Sequence, residues 1–346
     1  MQGSDIVEFC LFYPEGHAAH SEYGHLERPE RVEAIRQALT QAGLWERARK
    51  IQAAEIAQSV LEAVHSPEYL SLLERACRRG GHLDPDTYVT PASWQIAHQA
   101  AGGAAAVASE VWRRQADTGI ALCRPPGHHA MRGQGMGFCL INNIAVAAEQ
   151  LIQVERAQRL AIVDLDLHHG NGTQDIFWRR GDVFYISTHQ QPLYPGTGAL
   201  YERGQGAGQG TTANFPMPPG SGDTAFMAVM EQAILPLLGR FKPEMILVSY
   251  GFDTHWREPL GHLLLSADGY ARIIASLRQF AQQNCQGRIM LTLEGGYDLE
   301  AAADCTLSVL NALLEQPWQD PSGAAPYRET EQWQEMLRQA KVMWEL

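Results

Sequence analysis

Residues 160–173 read LAIVDLDLHHGNGT: four apolar residues run into Asp164, Leu165, Asp166, Leu167, His168 and His169, then Gly170-Asn171-Gly172. In a strand over 160–167 side chains alternate faces with period two. Asp164, Asp166 and His168 then share one face, while Leu165 and Leu167 pack on the other. Buried charge must be paired or metal-bound. The pattern therefore predicts a metal site rather than a polar strand end that merely reaches solvent. His169 points to the opposite face and reads as structural.

Around this stretch strands and helices alternate. Strands are expected over 6–13, 119–123, 160–167, 183–188, 245–250 and 288–293. Helices are expected over 30–42, 93–112, 142–153, 173–179, 224–241, 267–283 and 300–315, with residues 52–79 helical and broken at Ser66-Pro67. Pro85-Asp86-Thr87 reads as a turn, and 192–222 as a long Gly- and Pro-rich segment. Repeated β-α units predict an α/β fold: a single domain with a mostly parallel central sheet flanked by helices. The small-residue run AHQAAGGAAAVA at 97–108 predicts close helix packing.

One domain is expected to span 1–316, with 317–346 forming a C-terminal linker and a helix packed on it. Trp333, Met336, Leu337, Ala340, Met343 and Trp344 fall on one stripe of that helix, either core packing or a homo-oligomer contact.

The 346 residues are 45% hydrophobic and 19% charged, enough for a sizeable core. A net charge of −12 argues against nonspecific nucleic-acid binding. No apolar run approaches a membrane span, and the first ten residues lack the apolar core of a signal peptide. The six cysteines (Cys10, Cys77, Cys123, Cys139, Cys285, Cys305) form no C-x-x-C pair and read as buried thiols of a reducing compartment. A cytoplasmic protein is expected.

In open parallel sheets ligands bind beyond the carboxyl ends of the strands. Four expected strands end in chemistry: His128-His129 after Pro-Pro-Gly, the Asp164–His168 cluster, Asp253 in Gly-Phe-Asp, and Tyr297 in Glu-Gly-Gly-Tyr. Asp166, His168 and Asp253 supply three N and O donors and leave a fourth position open, the pattern of catalytic zinc. Two carboxylates make the ion a mild Lewis acid, so an assisting base is needed, and the histidine pair can supply it. Tyr297 offers a neutral O–H to a developing oxyanion. The three loop histidines His17, His20 and His25 read as rim or hydrogen-bonding groups.

RPPGHHA (124–130), MGFCLINN (136–143), VDLDLHHGNGT (163–173), YPGTG (194–198), NFPMPPGSGD (214–223), GFDTHWREPLG (251–261) and LEGGYDL (293–299) together resemble the zinc-dependent histone deacetylase family. More narrowly they resemble bacterial class II-like deacetylases and acetylpolyamine amidohydrolases. The resemblance runs from the first strand to about residue 316 and implies the arginase/deacetylase fold. It implies zinc on Asp166, His168 and Asp253, and His129 as general base and then acid beside His128. Asp164 would orient His128, Asn171 would partner His129, and Tyr297 would polarise the amide carbonyl. It also implies potassium near Asp164, Ser187 and carbonyls of this region, including those of Asp166, His168 and Thr188.

Gly137, Phe138 and Cys139 should line an acyl-lysine tunnel, with Asp86 at its rim. Polyamine-specific members can carry D-P-E-G after the third ligand. Here Glu258-Pro259-Leu260-Gly261 puts Leu260 at the acidic gate position, which favours acetyl-lysine or a neutral acylated amine. The acetylpolyamine reading is the alternative. An arginase-type manganese ureohydrolase would need more bridging ligands, and a silent deacetylase-like binding protein would lack the tyrosine or a ligand.

Overall fold

A computed structural model describes residues 8–346. Ten strands run in chain order: β1 (Phe9–Phe12), β2 (Arg49–Ile51), β3 (Gly81–Asp84), β4 (Thr87–Val89), β5 (Thr118–Ala121), β6 (Leu160–Asp164), β7 (Val183–Gln190), β8 (Thr212–Met217), β9 (Met245–Tyr250) and β10 (Ile289–Leu293). Eight form one sheet in the order β2-β1-β5-β10-β9-β6-β7-β8, every pairing parallel. β3 and β4 form a separate antiparallel hairpin around the Pro85-Asp86 turn.

The central strands are apolar along their length because helices cover both faces. In β6, Ala161 and Val163 join the core on one side, and Leu160 and Ile162 join the core on the other. Burying a Leu or Ile side chain of this kind contributes about 1.5–3 kcal/mol. Helices Glu30–Gln41, Ala267–Asn284 and Leu299–Leu313 pack into the first core, and Ser93–Trp112 and Asn143–Gln153 into the second. The small-residue run in Ser93–Trp112 packs tightly, as a Cβ at Gly103 would enter the Phe12 ring.

Several elements differ from expectation. The strand expected over 160–167 ends at Asp164. There the Asp164 side chain accepts the Asp166 N–H (3.2 Å), and the Asp166 side chain accepts the His168 N–H (2.9 Å). These successive Asx turns bend the chain out of the ladder. Asp166 and His168 therefore lie on a loop beyond the strand, not on one strand face with Asp164.

The helix expected over 224–241 contains a π-helical segment, Met230–Ile234, just before Pro236. Proline has no N–H and crowds the carbonyl four residues back, so the helix widens there. Within 52–79 helix begins only at Gln58. The expected Gly- and Pro-rich segment contains β8, and the edge strand β2 was not anticipated because Arg49-Lys50 carries no apolar alternation. Of the first expected strand, 9–12 is observed, while residues 6 and 7 lie outside the described residues.

The C-terminal helix Trp333–Trp344 buries Met336, Leu337, Ala340 and Trp344 against the main core, so its stripe is packing. Among the described residues no helix is long and apolar enough to cross a membrane.

Candidate active site

The loops that follow β5, β6, β9 and β10 meet at the carboxyl edge of the sheet's centre. With the β3–β4 turn and the loop after β7 they enclose a cavity of about 200 Å³ lined by Asp86, His128, His129, Gly137, Phe138, Asp166, His168, Tyr194, Leu260, Gly295 and Tyr297, with Pro126 at its wall. A larger cleft of about 550 Å³ lies elsewhere, at the opposite ends of β5 and β10, and holds none of these residues.

At the floor, one donor atom each from Asp166, His168 and Asp253 lies within 4.8 Å of the others. His168 Nδ1 stands 3.3 Å from Asp166 Oδ1 and 3.1 Å from Asp253 Oδ2. Both carboxylates are fixed by main-chain N–H groups. Gly295 donates to Asp166 Oδ2 (2.8 Å) and Leu167 donates to Asp253 Oδ1 (3.0 Å). Asp253 thus keeps Oδ2 directed at the cluster. A Cβ at Gly251 or Gly295 would intrude between the two carboxylates, so glycine keeps the cradle open. Two fully buried carboxylates side by side need a cation, and this N and O donor set fits a divalent metal with a position left for water or substrate.

Beside the cradle, His128 Nδ1 pairs with Asp164 Oδ2 at 3.1 Å, and His129 Nδ1 lies 2.8 Å from Asn171 Oδ1. The Asn171 nitrogen donates to the Met136 sulfur, which leaves its oxygen to accept from His129. His129 Nδ1 therefore carries the proton and Nε2 is free to take another. Burial alone would lower His128, but Asp166 and Asp164 outweigh it and raise it to about 10. Burial, then His128 and His168, hold His129 well below the usual range. The two imidazoles are thus driven in opposite directions, His128 towards its charged form and His129 towards its neutral form. Burial also pushes the Tyr297 phenol well above its ordinary range against the pull of Arg31, whose guanidinium lies 4.8 Å from the ring centre. Tyr297 remains an O–H donor.

The structure brings together His128, His129, Asp164, Asn171, Asp166, His168, Asp253 and Tyr297. Gly137, Phe138, Asp86 and Leu260 line the way in. Phe138 (φ 68°) meets the Tyr297 ring edge-on at 5.7 Å. Ser187 is paired in register with Asp164, its hydroxyl bonded to His189, and the Thr188 hydroxyl reaches the Asp164 carbonyl at 3.4 Å.

Of the loop histidines, His20 bonds Ser93 and stacks on Tyr88, and His17 bonds Tyr13. His25 accepts the Glu27 N–H, donates to the Asp86 carbonyl, and packs edge-on against Phe138 at 4.7 Å. His25 therefore supports the tunnel wall and its rim.

Several contributors were not singled out in the sequence. Tyr194 forms the second aromatic wall, edge-on to His129 at 5.2 Å. Buried Glu294 accepts the Gly127 and His128 N–H groups (2.7 and 3.1 Å) and so sets the histidine loop. Arg31 donates to the Gly296 and Glu294 carbonyls. The Glu-Gly-Gly-Tyr motif contained Glu294, but nothing local marked its partners.

Residues 25–313 match the model of the histone deacetylase domain. The chain belongs to the histone deacetylase family. It is 40% identical over 312 residues to a probable deacetylase of Archaeoglobus fulgidus, covering 89% of this chain and 86% of that one. It is 37% identical over 292 residues to a histone deacetylase-like amidohydrolase of Pseudomonas aeruginosa, covering 84% and 77%. The crystal structure of the HDA15 HD domain superposes with a TM-score of 0.89 at 33% identity, covering 98% of this chain and 95% of that one. The match bears out the α/β fold with a parallel central sheet expected from the sequence.

Proposed function

We propose that this family member is a zinc-dependent amidohydrolase that removes an acetyl or related acyl group from a lysine side chain or a similar primary amine. The observation that carries the reading is the convergence of Asp166, His168 and Asp253 with His129 and Tyr297 on one narrow cavity. Zinc held by those three residues would polarise the acyl carbonyl and ease deprotonation of water at neutral pH.

The chain's own groups supply the remainder. The walls of Phe138 and Tyr194 admit an extended alkyl chain and exclude bulk water. His129 Nε2 takes the proton of the attacking water while Asn171 holds Nδ1–H. The Tyr297 O–H donates to the oxygen that becomes negative as the carbonyl turns tetrahedral. His129 then gives its proton to the departing nitrogen, the C–N bond breaks, and acetate and free amine leave. His128, tied to Asp164 at 3.1 Å, stands beside His129 as its electrostatic partner.

A potassium ion is proposed near Asp164, Ser187 and the carbonyls of Asp166, His168 and Thr188; the register pairing of Asp164 with Ser187 supports this. A reducing, cytoplasmic setting suits the six buried free cysteines.

The amine partner is read from the rim. Apart from Asp166, Asp86 supplies the single carboxylate among the lining residues, and Leu260 is apolar. That favours acyl-lysine or a neutral acylated amine over a polycation. Zinc-reconstituted enzyme should be offered acetyl-lysine peptides beside acetylputrescine, acetylcadaverine and acetylspermidine. Higher kcat/KM on the peptides supports the reading; strong preference for the small polyamines overturns it.

A further inference from the structure

Glu258 sits five residues after Asp253 and is 5% exposed. Its Oε2 accepts two consecutive main-chain N–H groups, those of Tyr297 (2.9 Å) and Asp298 (3.3 Å). Its Oε1 is buried with no partner. Glu294 makes the same kind of double contact to the histidine loop, but there Ser249 satisfies the second oxygen at 2.8 Å. A buried acceptor left unpaired costs about 1–3 kcal/mol.

The stretch leading to Tyr297 needs anchoring. Gly295 and Gly296 precede it, and Gly296 adopts φ 109°, open to glycine and rarely to others. Arg31 grips the carbonyls on the N-terminal side, those of Glu294 and Gly296. Glu258 grips the N–H groups on the C-terminal side. Glu258 is itself held to the metal-cradle loop, since its N–H donates to His255 and the His255 N–H donates to Phe252 (both 2.9 Å). Pro259 follows and stiffens the segment.

We propose that Glu258 is a positioning residue: it locks the Tyr297 main chain to the Asp253 loop and thereby holds the phenol at the acyl carbonyl. The inference rests on the proposed hydrolysis, in which Tyr297 is the oxyanion donor. It acts on the transition state, because that is where the phenol's placement matters.

The test is a double-mutant cycle on zinc-loaded enzyme with an acetyl-lysine peptide. Glu258→Ala is expected to lower kcat by roughly tenfold to a hundredfold, as for a misplaced catalytic group, with KM within about twofold and zinc content unchanged. Glu258→Gln keeps an acceptor oxygen for the two N–H groups and should return kcat to within about threefold of wild type. In a Tyr297→Phe background Glu258→Ala should cost less than about threefold, since the phenol it places is gone. Should the alanine variant fail to fold, Glu258→Asp, which withdraws the carboxylate by one methylene, is run through the same cycle and should show the same dependence on Tyr297. An equal loss in both backgrounds, or a rise in KM at constant kcat, overturns the role of Glu258. Near-wild-type turnover by Tyr297→Phe alone overturns the hydrolytic reading instead.

Discussion

Asn171 Oδ1 accepts the Nδ1–H of His129 at 2.8 Å, which fixes the tautomer and leaves Nε2 facing the cavity. Asn171→Leu removes that acceptor while keeping the side chain's bulk. Turnover is expected to fall roughly tenfold to a hundredfold with zinc content unchanged. Asn171→Asp, which still accepts, should retain turnover far better. Steady-state kinetics on the two variants checks this; equal activity would show that the hydrogen bond has no part in the reaction.

Leu260 lines the cavity where a second amine of an acetylpolyamine would pass. Leu260→Glu places a carboxylate there. The ratio of kcat/KM for acetylspermidine over an acetyl-lysine peptide should rise by about tenfold, the scale of one partly solvated charge pair. An unchanged ratio would mean that this loop does not set the amine preference.

His65 is fully buried and bonded at both nitrogens: Nδ1–H donates to the Met131 carbonyl (2.9 Å), and Nε2 accepts the Asn142 N–H (3.0 Å). It thereby pins both ends of the segment carrying Gly137 and Phe138. Burial lowers its pKa to about 4, and the nearby Arg132 and His98 add to the effect. Unfolded, the ring takes a proton near pH 6.5, so between 6.5 and about 4 the unfolded chain holds the extra proton. This contribution is present above pH 6.5 and is lost as pH falls towards 4, to the extent of about 3 kcal/mol. Denaturant unfolding at pH 7.5 and pH 5 should show a smaller loss for His65→Gln than for wild type. Equal losses would remove His65 from the pH dependence.

The site residues at strand ends were legible because a parallel sheet writes each strand as an apolar run and stops it where chemistry begins. Asp166, His168, Asp253 and Tyr297 could be read that way. The Asx turns after Asp164 were not, since Asp-x-Asp-x-His suits an alternating strand and a chain of turns equally well. Glu258 and Glu294 escaped for another reason. Each holds backbone N–H groups 39 and 166 residues away respectively, and a backbone partner leaves no mark in the sequence. Tyr194 lay in a Gly- and Pro-rich stretch without periodicity, where only the fold shows which aromatic turns inward. β2 is three residues long and polar, too short for any pattern to register.

The central claim is that His129 moves the proton in an amide hydrolysis at this cradle. Acetate release from an acetyl-lysine peptide should therefore be measured for wild type and His129→Ala at matched zinc loading. The expected result is multiple turnovers by wild type and a fall of roughly 10²–10⁴ in kcat for the variant, with the fold and metal content retained. Turnover by zinc-loaded His129→Ala near the wild-type rate, or no acetate from wild type, would contradict the account.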